Sequence, residues 1–183
     1  MSDALRTEYR IEPLTAQQVH DGAAEGLAPL LRDAVEGGAS VGFLAPLDPA
    51  EAAAWWRDAA EQTARGVRSV WAAYGPGGAV SGVITLVRAA MPNQPHRGDI
   101  AKLLVHRDAR GRGLGSRLLA TAEEAAAAGG LTLLVLDTET GSAAEALYRK
   151  AGWIRAGTIP HYALTPTGTP HATTYYYKVL GGA

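Results

Sequence analysis

A glycine-rich turn, "RGRGLGS" from Arg110 to Ser116, carries the most specific chemical signal in the sequence. It follows an apolar run typical of a strand, "IAKLLV", and precedes an alanine-rich stretch with helical periodicity. The first amides of a helix have no partner within the helix, and they carry a partial positive charge. Glycines let an anion approach the backbone closely, and Arg110 and Arg112 add positive charge. The stretch therefore predicts a phosphate-binding turn.

Three phosphate-binding designs contain glycines at similar spacing. A P-loop requires Lys and then Ser or Thr after its last glycine, whereas Gly115 is followed by Ser116 and Arg117. A dinucleotide-binding fingerprint requires a glycine where Ser116 stands, and its domain normally begins with this unit. A third pattern, Arg/Gln-x-x-Gly-x-Gly/Ala at a strand-to-helix junction, is met by Arg110, Gly113 and Gly115. A glycine-rich helix start with solvated arginines is the alternative without a ligand.

Composition excludes several classes of protein. The chain has 183 residues, a hydrophobic fraction of 47% and a formal net charge of -1. This length suits one domain spanning 1–183 with a buried core, and near neutrality argues against nucleic acid as a partner. The lack of cysteine excludes disulfides, thiolate metal sites and a cysteine nucleophile. No signal peptide or long apolar run is visible, so we expect a cytoplasmic protein that does not enter a membrane.

Periodicity and turn residues predict the elements that must position the turn. The predicted strands span 8–14, 67–74, 79–90, 100–105, 131–138, 153–160 and 172–180, and the predicted helices span 16–34, 48–66, 113–130 and 141–152. Thr15 and Gln18 indicate a capping box at the first helix, and Asp48 with Pro49 indicates the start of the second. The stretches 38–47, 91–99 and 161–171 are expected to be mainly loops.

Two stretches at this spacing resemble the GNAT superfamily of acyl-CoA-dependent N-acetyltransferases. They are "IAKLLVHRDARGRGLGSRLLATAEEAA" and, after "LTLLVLDT", the segment "AEALYRKAGW". The resemblance extends from about Val67 to the end of the chain. It implies an α/β (α+β) fold with a mixed, mostly antiparallel sheet of six to seven strands, splayed between the fourth and fifth strands and flanked by helices. One departure is Arg107, where many relatives have a proline that shapes the loop.

The same resemblance implies acetyl-CoA as co-substrate and no metal. The turn would bind the pyrophosphate of acetyl-CoA, and the main chain of the preceding strand would pair with the pantetheine arm like an added strand. The implied acetyl-CoA-binding residues are Leu103, Leu104, Val105, Arg110, Gly111, Arg112, Gly113, Leu114, Gly115 and Ser116.

Acetyl transfer requires a polarised carbonyl, loss of a proton from the amine and protonation of the departing thiolate. The resemblance implies that Tyr148 is the general acid, and a phenol holds its proton at neutral pH. A core aromatic is the alternative for Tyr148. Asp137 ends a strand beside the expected splay, where it could bind a substrate ammonium or take its proton through water. The alternative is that Asp137 braces the loop before Ser142.

Weaker candidates for the acceptor site surround these two residues. They are two carboxylates, Asp99 and Glu139, and three histidines in predicted loops, His96, His161 and His171. The histidines lack metal-ligand spacing, and a solvated surface role is the alternative for each of them.

The C-terminal third resembles more specifically the branch that contains the tabtoxin-resistance acetyltransferase. The matching stretches are "LDTETGSAAEALYRKAGW" and "IPHYALTPTGTPHATTYYYK". This implies acetylation of the primary amine of a small polar, amino-acid-like or antibiotic-like molecule, with a detoxification or resistance role. We expect the protein to be a monomer or homodimer. One alternative is a protein N-terminal or lysine acetyltransferase, whose peptide groove the predicted loop at 160–171 would narrow. Another is an acyl-CoA-binding regulatory module without turnover.

Overall fold

The structure, a computed structural model, describes residues 9–181 as seven strands and five α-helices. The strands are β1 (Arg10–Leu14), β2 (Arg68–Tyr74), β3 (Val80–Arg88), β4 (Arg97–Val105), β5 (Leu133–Glu139), β6 (Ile154–Leu164) and β7 (Pro170–Val179). The helices are α1 (Ala16–Gly22), α2 (Ala28–Glu36), α3 (Pro49–Ala64), α4 (Leu114–Ala128) and α5 (Ala143–Lys150). The predicted helices are confirmed, with ends that move by one or two residues. Glu8, the predicted start of the first strand, lies outside the described residues.

Local sequence explains where the helices begin. The Thr15 hydroxyl accepts a hydrogen bond from the Gln18 amide at 3.2 Å, and the Gln18 side chain accepts one from the Thr15 amide at 2.8 Å, which confirms the capping box. A π-helical turn, Ala23–Leu27, connects α1 to α2. A Cβ at Gly26 would lie 2.9 Å from Val80 Cγ2, so glycine lets this turn approach β3 closely.

The strands form one mixed sheet in the order β1-β2-β3-β4-β5-β7-β6. Every neighbouring pair is antiparallel except β4 and β5, which are parallel. The parallel pairing covers only Arg97–Asp99 against Leu133–Val135, and both strands continue without pairing each other beyond it. The expected fold and the splay between the fourth and fifth strands are therefore confirmed.

Helices cover both faces of the sheet. On the face covered by α4 and α5, here called the α4 face, one buried cluster includes Leu118, Leu134, Leu136, Tyr148 and Tyr176. On the face covered by α1, α2 and α3, here called the α3 face, a second buried cluster includes Leu31, Trp56, Val70, Val83 and Leu104. Because neighbouring residues of a strand point to opposite faces, these clusters fix which face each candidate side chain occupies. Within 9–181, no helix combines the length and apolar character needed to cross a membrane.

Two predicted loops are shorter than expected. The stretch 161–171 is not a loop, because β6 continues to Leu164, β7 begins at Pro170, and only a tight turn separates them. The two strands pair from Ile154 opposite Tyr177 to Leu164 opposite Pro170, so pairing with β7 outweighs the turn-forming composition of this stretch. Similarly, β4 begins at Arg97, inside the predicted loop 91–99.

Candidate active site

The gap between β4 and β5 is the opening around which the candidate residues lie. Beyond Asp99, β4 continues to pair with β3 on one side, with Leu104 opposite Val83 and Val105 opposite Gly82. On its other side, β5 no longer pairs with it. The backbone groups of β4 along this edge are therefore open to an extended ligand, as the pantetheine arm requires.

The glycine turn has the geometry of an anion site. Gly111 and Gly113 have φ values of 74° and 75°, in the left-handed region that glycine enters without strain. Gly113 is the N-cap of α4, whose first amides belong to Leu114, Gly115 and Ser116. A Cβ at Gly111 or Gly113 would meet no atom within 4 Å, so open space lies above the turn. This space and these amides fit a pyrophosphate at the positive end of the helix dipole.

Contacts around the turn give its other residues different roles. Arg110 Nε donates a hydrogen bond to the carbonyl of Val105 at 3.0 Å, which fixes the turn to the end of β4. A Cβ at Gly115 would lie 3.0 Å from Leu147 Cδ1, so this glycine lets α4 and α5 approach each other. Leu114 is buried in the core, and the side chains of Arg112 and Ser116 are exposed.

Arg107, which occupies the position of a proline in many relatives, anchors the segment before the turn. Its backbone amide donates to Asp33 Oδ2 at 3.1 Å, and its Nε donates to Asp33 Oδ1. Asp33 lies on α2 and is 8% exposed. Burial alone would raise the pKa of Asp33, but the hydrogen bonds from Arg107 and the positive charges of His106 and Arg107 lower it. Sequence reasoning missed this pair because its members lie 74 positions apart.

Tyr148 lies on α5 and belongs to the buried cluster of the α4 face. Its ring centroid is 5.9 Å from that of Trp153 and 6.3 Å from that of Tyr176. The hydroxyl has no hydrogen-bond partner among residues 9–181, and the residue is 6% exposed. Burial, together with the negative charge of Asp137, raises the pKa of Tyr148 above its ordinary value. The residue is thus both a packed core aromatic and a phenol that keeps its proton.

Asp137 lies beside the same gap on the opposite, α3 face. Its neighbour Leu136 packs in the cluster of the α4 face, so the Asp137 side chain points the other way. The carboxylate is exposed, and its Oδ2 accepts a hydrogen bond from Thr173 Oγ1 at 3.0 Å. The loop before Ser142 is held instead by Thr138, whose hydroxyl lies 3.3 Å from that of Ser142.

Asp99 points to the α3 face as well, because its neighbour Ile100 packs in the cluster of the α4 face. Its Oδ1 accepts a hydrogen bond from Arg97 Nη1 at 3.2 Å. Burial raises the pKa of Asp99; Arg97 opposes this rise, and the negative charge of Asp137 adds to it. The negative charge of Asp137 is therefore close enough to Asp99 to act on it. Glu139, at the end of β5, is partly buried and lies opposite Thr173 in the pairing of β5 with β7.

The three histidines do not form a group at the gap, and the prediction that all three lie in loops is wrong. His171 lies on β7, and its Nε2 is 2.7 Å from Ser40 Oγ. His161 is an exposed residue of β6 with φ 53°, at an irregularity in the pairing with β7. His96 is in a turn, where its carbonyl accepts from the Thr132 amide at 2.9 Å. This contact is at the closed end of the β4–β5 pair, away from the gap.

Two tyrosines of the α3 face were not predicted as site residues. Tyr175 lies opposite Asp137 in the pairing of β5 with β7, and its hydroxyl shares a 2.8 Å hydrogen bond with Tyr162 on β6. This hydrogen bond, then burial and the charges of Asp137 and Asp99, raise the pKa of Tyr175 to about 12. Strand alternation in the run of three tyrosines predicts that Tyr175 and Tyr177 share one face. The contact of Tyr175 with Tyr162 could not be predicted, because Tyr162 lies in the stretch expected to be a loop.

Lys102 also enters the site unpredicted. It has φ 50° and lies where the pairing of β3 and β4 shifts, between Val83 and Thr85 of β3. The shift is a bulge, which breaks the strand alternation on which the sequence prediction depends. The Lys102 ammonium lies 4.8 Å from the ring centroid of Trp55 on α3 and is attracted by Asp137.

Comparison with known proteins agrees with this geometry. Residues 25–153 match the family described as Acetyltransferase (GNAT) family. The chain belongs to the GNAT family. Three solved structures of acetyltransferases share its fold, at 18–23% sequence identity.

The first is an N-acetyltransferase from Staphylococcus aureus Mu50, with 21% identity, a TM-score of 0.78 and coverage of 96% of this chain and 100% of that one. The second is a GNAT superfamily phosphinothricin acetyltransferase from Sinorhizobium meliloti in complex with AcCoA, with 18% identity, a TM-score of 0.77 and coverage of 96% and 90%. The third is a ribosomal-protein-alanine N-acetyltransferase from Brucella melitensis, with 23% identity, a TM-score of 0.73 and coverage of 93% and 99%.

As a GNAT acetyltransferase, the protein uses acetyl-CoA, and its residues fit that molecule. The open space above Gly111 and Gly113 and the unpaired edge of β4 meet at the start of α4. Among residues 9–181, no group of three or more His, Asp or Glu side chains could hold a metal ion.

Proposed function

We propose that this GNAT enzyme transfers the acetyl group of acetyl-CoA directly to the primary amine of a small polar, amino-acid-like molecule. It acts as a single domain over 1–183, in the cytoplasm, as a monomer or homodimer. A detoxification or resistance role, as in the tabtoxin-resistance branch, belongs to this proposal. The phosphinothricin acetyltransferase from Sinorhizobium meliloti, which shares the fold, supports it by its name.

Acetyl-CoA supplies the acetyl thioester, and the proposal divides its binding between two elements. The turn at Arg110–Ser116 holds the pyrophosphate through the amides at the start of α4 and the charges of Arg110 and Arg112. The free edge of β4, from Leu103 to Val105, holds the pantetheine arm through backbone hydrogen bonds. Both sites depend on backbone groups, so the shape of the turn matters more than any one side chain.

The arrangement of Asp137 and Tyr148 is the observation that carries the proposal. Asp137 offers a carboxylate on the α3 face, where an ammonium group can bind and pass its proton to water or to the carboxylate. Tyr148 offers a protonated phenol on the α4 face, where the phenol can donate its own proton to the thiolate of CoA. The acid and the amine-binding group thus approach the gap from opposite sides. Transfer forms the N–C bond of the acetylated amine and breaks the C–S bond of the thioester. Both events take place between Asp137 and Tyr148.

A small acceptor is favoured over a peptide by the contacts beside the α3 face. The segment 37–48, between α2 and α3, contacts the β6–β7 hairpin at two points. The amide of Ala45 donates to the carbonyl of Pro166 at 2.8 Å, and Ser40 Oγ lies 2.7 Å from His171 Nε2. Residues 160–171, which were expected to narrow a peptide groove as a loop, belong instead to the β6–β7 hairpin. The segment 37–48 contacts this hairpin, which favours a small acceptor over a peptide.

A panel of acceptors tests the proposal by release of CoA thiol, corrected for acetyl-CoA hydrolysis. The panel contains free amino acids, other small polar amines, a peptide with a free N-terminus and a peptide with internal lysine. We expect turnover with small amines and little with the peptides. Peptide turnover that exceeds that of every small amine would favour the protein acetyltransferase. Tight acetyl-CoA binding with no turnover on any acceptor would favour a regulatory module.

A further inference from the structure

Lys102 is the only lysine of β4, and its side chain lies on the α3 face. Its left-handed backbone, with φ 50°, directs the side chain toward α3. The ammonium lies 4.8 Å from the ring centroid of Trp55 and 5.8 Å from that of Phe43. A Cβ added at Gly42 would lie 3.8 Å from the same nitrogen. The ammonium is thus set among aromatic rings, where cation–π attraction orients it but leaves its hydrogen-bond donors unused.

The surroundings of Lys102 do not neutralise it directly. Within 9–181 it donates no hydrogen bond and has no carboxylate oxygen within 4.0 Å. Burial and the positive charge of Arg68 lower the pKa of Lys102, the negative charge of Asp137 opposes them, and the net result is a pKa of about 8. A methionine would fill this space without the cost of removing a charge from water, so packing alone does not explain a lysine here.

Arg68 differs from Lys102 because it donates hydrogen bonds to two neighbouring side chains. Its Nη1 donates to Thr85 Oγ1 at 2.8 Å, and its Nε donates to Gln62 Oε1 at 3.1 Å. Thr85 in turn donates to the carbonyl of Ala101 at 2.9 Å, directly before Lys102. This chain of hydrogen bonds links Arg68 to the backbone of the bulge, whereas Lys102 keeps its donors available to a ligand.

Opposite charges therefore lie on one face of the gap. Asp137 and Asp99 provide carboxylates, and Lys102 provides an ammonium whose pKa responds to Asp137. A ligand with an ammonium and an anionic group close together would place each against its opposite charge. An amine without an anionic group would pair its ammonium with the carboxylates but leave the donors of Lys102 without an acceptor.

We propose that Lys102 is a substrate-binding residue that pairs with an acidic group on the acceptor, so that the acceptor is an amino acid or a similar zwitterion. This inference rests on the proposed function, because it assigns the acceptor to the same gap. Lys102 acts in binding, while Asp137 receives the amine. The acidic group is a carboxylate or an anion of similar charge, such as a phosphinate.

Matched acceptors and matched variants test this pairing. Each amino acid in the panel is compared with its own amide, which keeps the amine and the side chain but removes the negative charge. Lys102→Met keeps the length and apolar stem of the side chain, and Lys150→Met removes an exposed lysine of α5 as the control. We expect Lys102→Met to raise KM for the amino acid about 10- to 100-fold, the range of a lost charge-assisted hydrogen bond. KM for the amide, the affinity for CoA and all values of Lys150→Met should stay within about twofold.

Equal losses for the amino acid and its amide would overturn the proposal and identify Lys102 as a base or a packing residue. Calorimetry with the protein saturated with CoA separates this result from failure of the proposed function, because it does not require turnover. If no acceptor is acetylated but an amino acid binds wild type and not Lys102→Met, the transfer proposal fails and the anion site stands. If all acidic ligands bind wild type and Lys102→Met equally, or none binds wild type, the anion site is refuted.

Discussion

Asp137 and Tyr148 lie on opposite faces of the sheet. Asp137 is on β5 with its side chain on the α3 face, and Tyr148 is on α5 in the cluster of the α4 face. They are close enough for the charge of Asp137 to raise the pKa of Tyr148. In the proposed function, the carboxylate that binds the amine thus also helps to keep the acid protonated. We expect a thioester held in the splay between β4 and β5 to be reached from both faces.

Replacement of Tyr148 by Phe tests the acid directly. The change removes one hydroxyl, keeps the ring that packs near Trp153, and should lower kcat by up to about 10²–10⁴-fold without changing CoA affinity. The pKa of Tyr148 is raised, so its acidic form persists into alkaline solution. Any alkaline fall in the wild-type kcat that is caused by deprotonation of Tyr148 should therefore lie above the ordinary tyrosine pKa range. This fall should be absent in the variant. Rates are measured across pH with the amine saturating.

Tyr74→Phe is the matched control, because Tyr74 is a partly buried tyrosine at the end of β2. It should retain the wild-type kcat and pH profile. Full turnover by folded Tyr148→Phe would remove Tyr148 as the acid. A lower rate with an unchanged pH profile would assign it a positioning role.

Asp137→Asn tests the binding of the amine. The amide keeps the shape of the side chain and can still accept from Thr173, but it no longer attracts an ammonium group. We expect KM for the amine to rise about tenfold, which corresponds to about 1.4 kcal/mol, with CoA affinity unchanged. Asp58→Asn, at an exposed position on α3, is the control. A variant that loses thermal stability but keeps kcat/KM would show that the carboxylate only braces β7 through Thr173.

The shape of the glycine turn can be predicted from the sequence because its signal is local. Glycine is needed at 111 and 113 for left-handed backbone, and the helix that follows needs only its own periodicity. The parallel strands β4 and β5 are joined by α4, which provides the crossover connection that parallel strands need. These features depend on residues close together in the chain.

The missed features depend on contacts between distant segments. The composition "TPTGT" around Pro166 predicts a loop, but pairing with β7 extends β6 to Leu164. Lys102 is missed because a bulge reverses the alternation of β4, and no local pattern marks that bulge. Asp33 and Arg107 meet only when α2 packs beside the end of β4. Sequence patterns report local preference, and these three features are set by tertiary structure.

Gly113→Val tests the pyrophosphate turn. Valine at φ 75° is strained, and its side chain would occupy the open space that the phosphate needs. We expect CoA affinity to fall by at least about 2 kcal/mol, roughly thirtyfold, in calorimetry. Gly78→Val is a matched control, because Gly78 has φ 78° and equally open surroundings in the turn between β2 and β3. Both variants should lose similar stability, and an unchanged CoA affinity in folded Gly113→Val would refute the site.

Asp33→Asn tests the anchor between α2 and the segment before the turn. Asp33 accepts two hydrogen bonds from Arg107, and Arg110 Nη2 lies 4.0 Å from its Oδ2. Loss of the charge should lower the free energy of unfolding by about 2 kcal/mol at neutral pH, measured by urea unfolding. Asp58→Asn, at its exposed position, should change stability little.

The pH dependence of this loss is a separate test of the ion pair. The pKa of Asp33 in the folded protein is lower than its ordinary value of 3.8. Its ionised form therefore stabilises the folded protein fully above that value, and the stabilisation is lost as pH falls through the lower pKa. The difference in unfolding free energy between wild type and Asp33→Asn should be constant from about pH 5 to 7 and shrink below about pH 4. A difference that stays constant down to pH 3 would show that shape, and not the charge of Asp33, holds Arg107 in place.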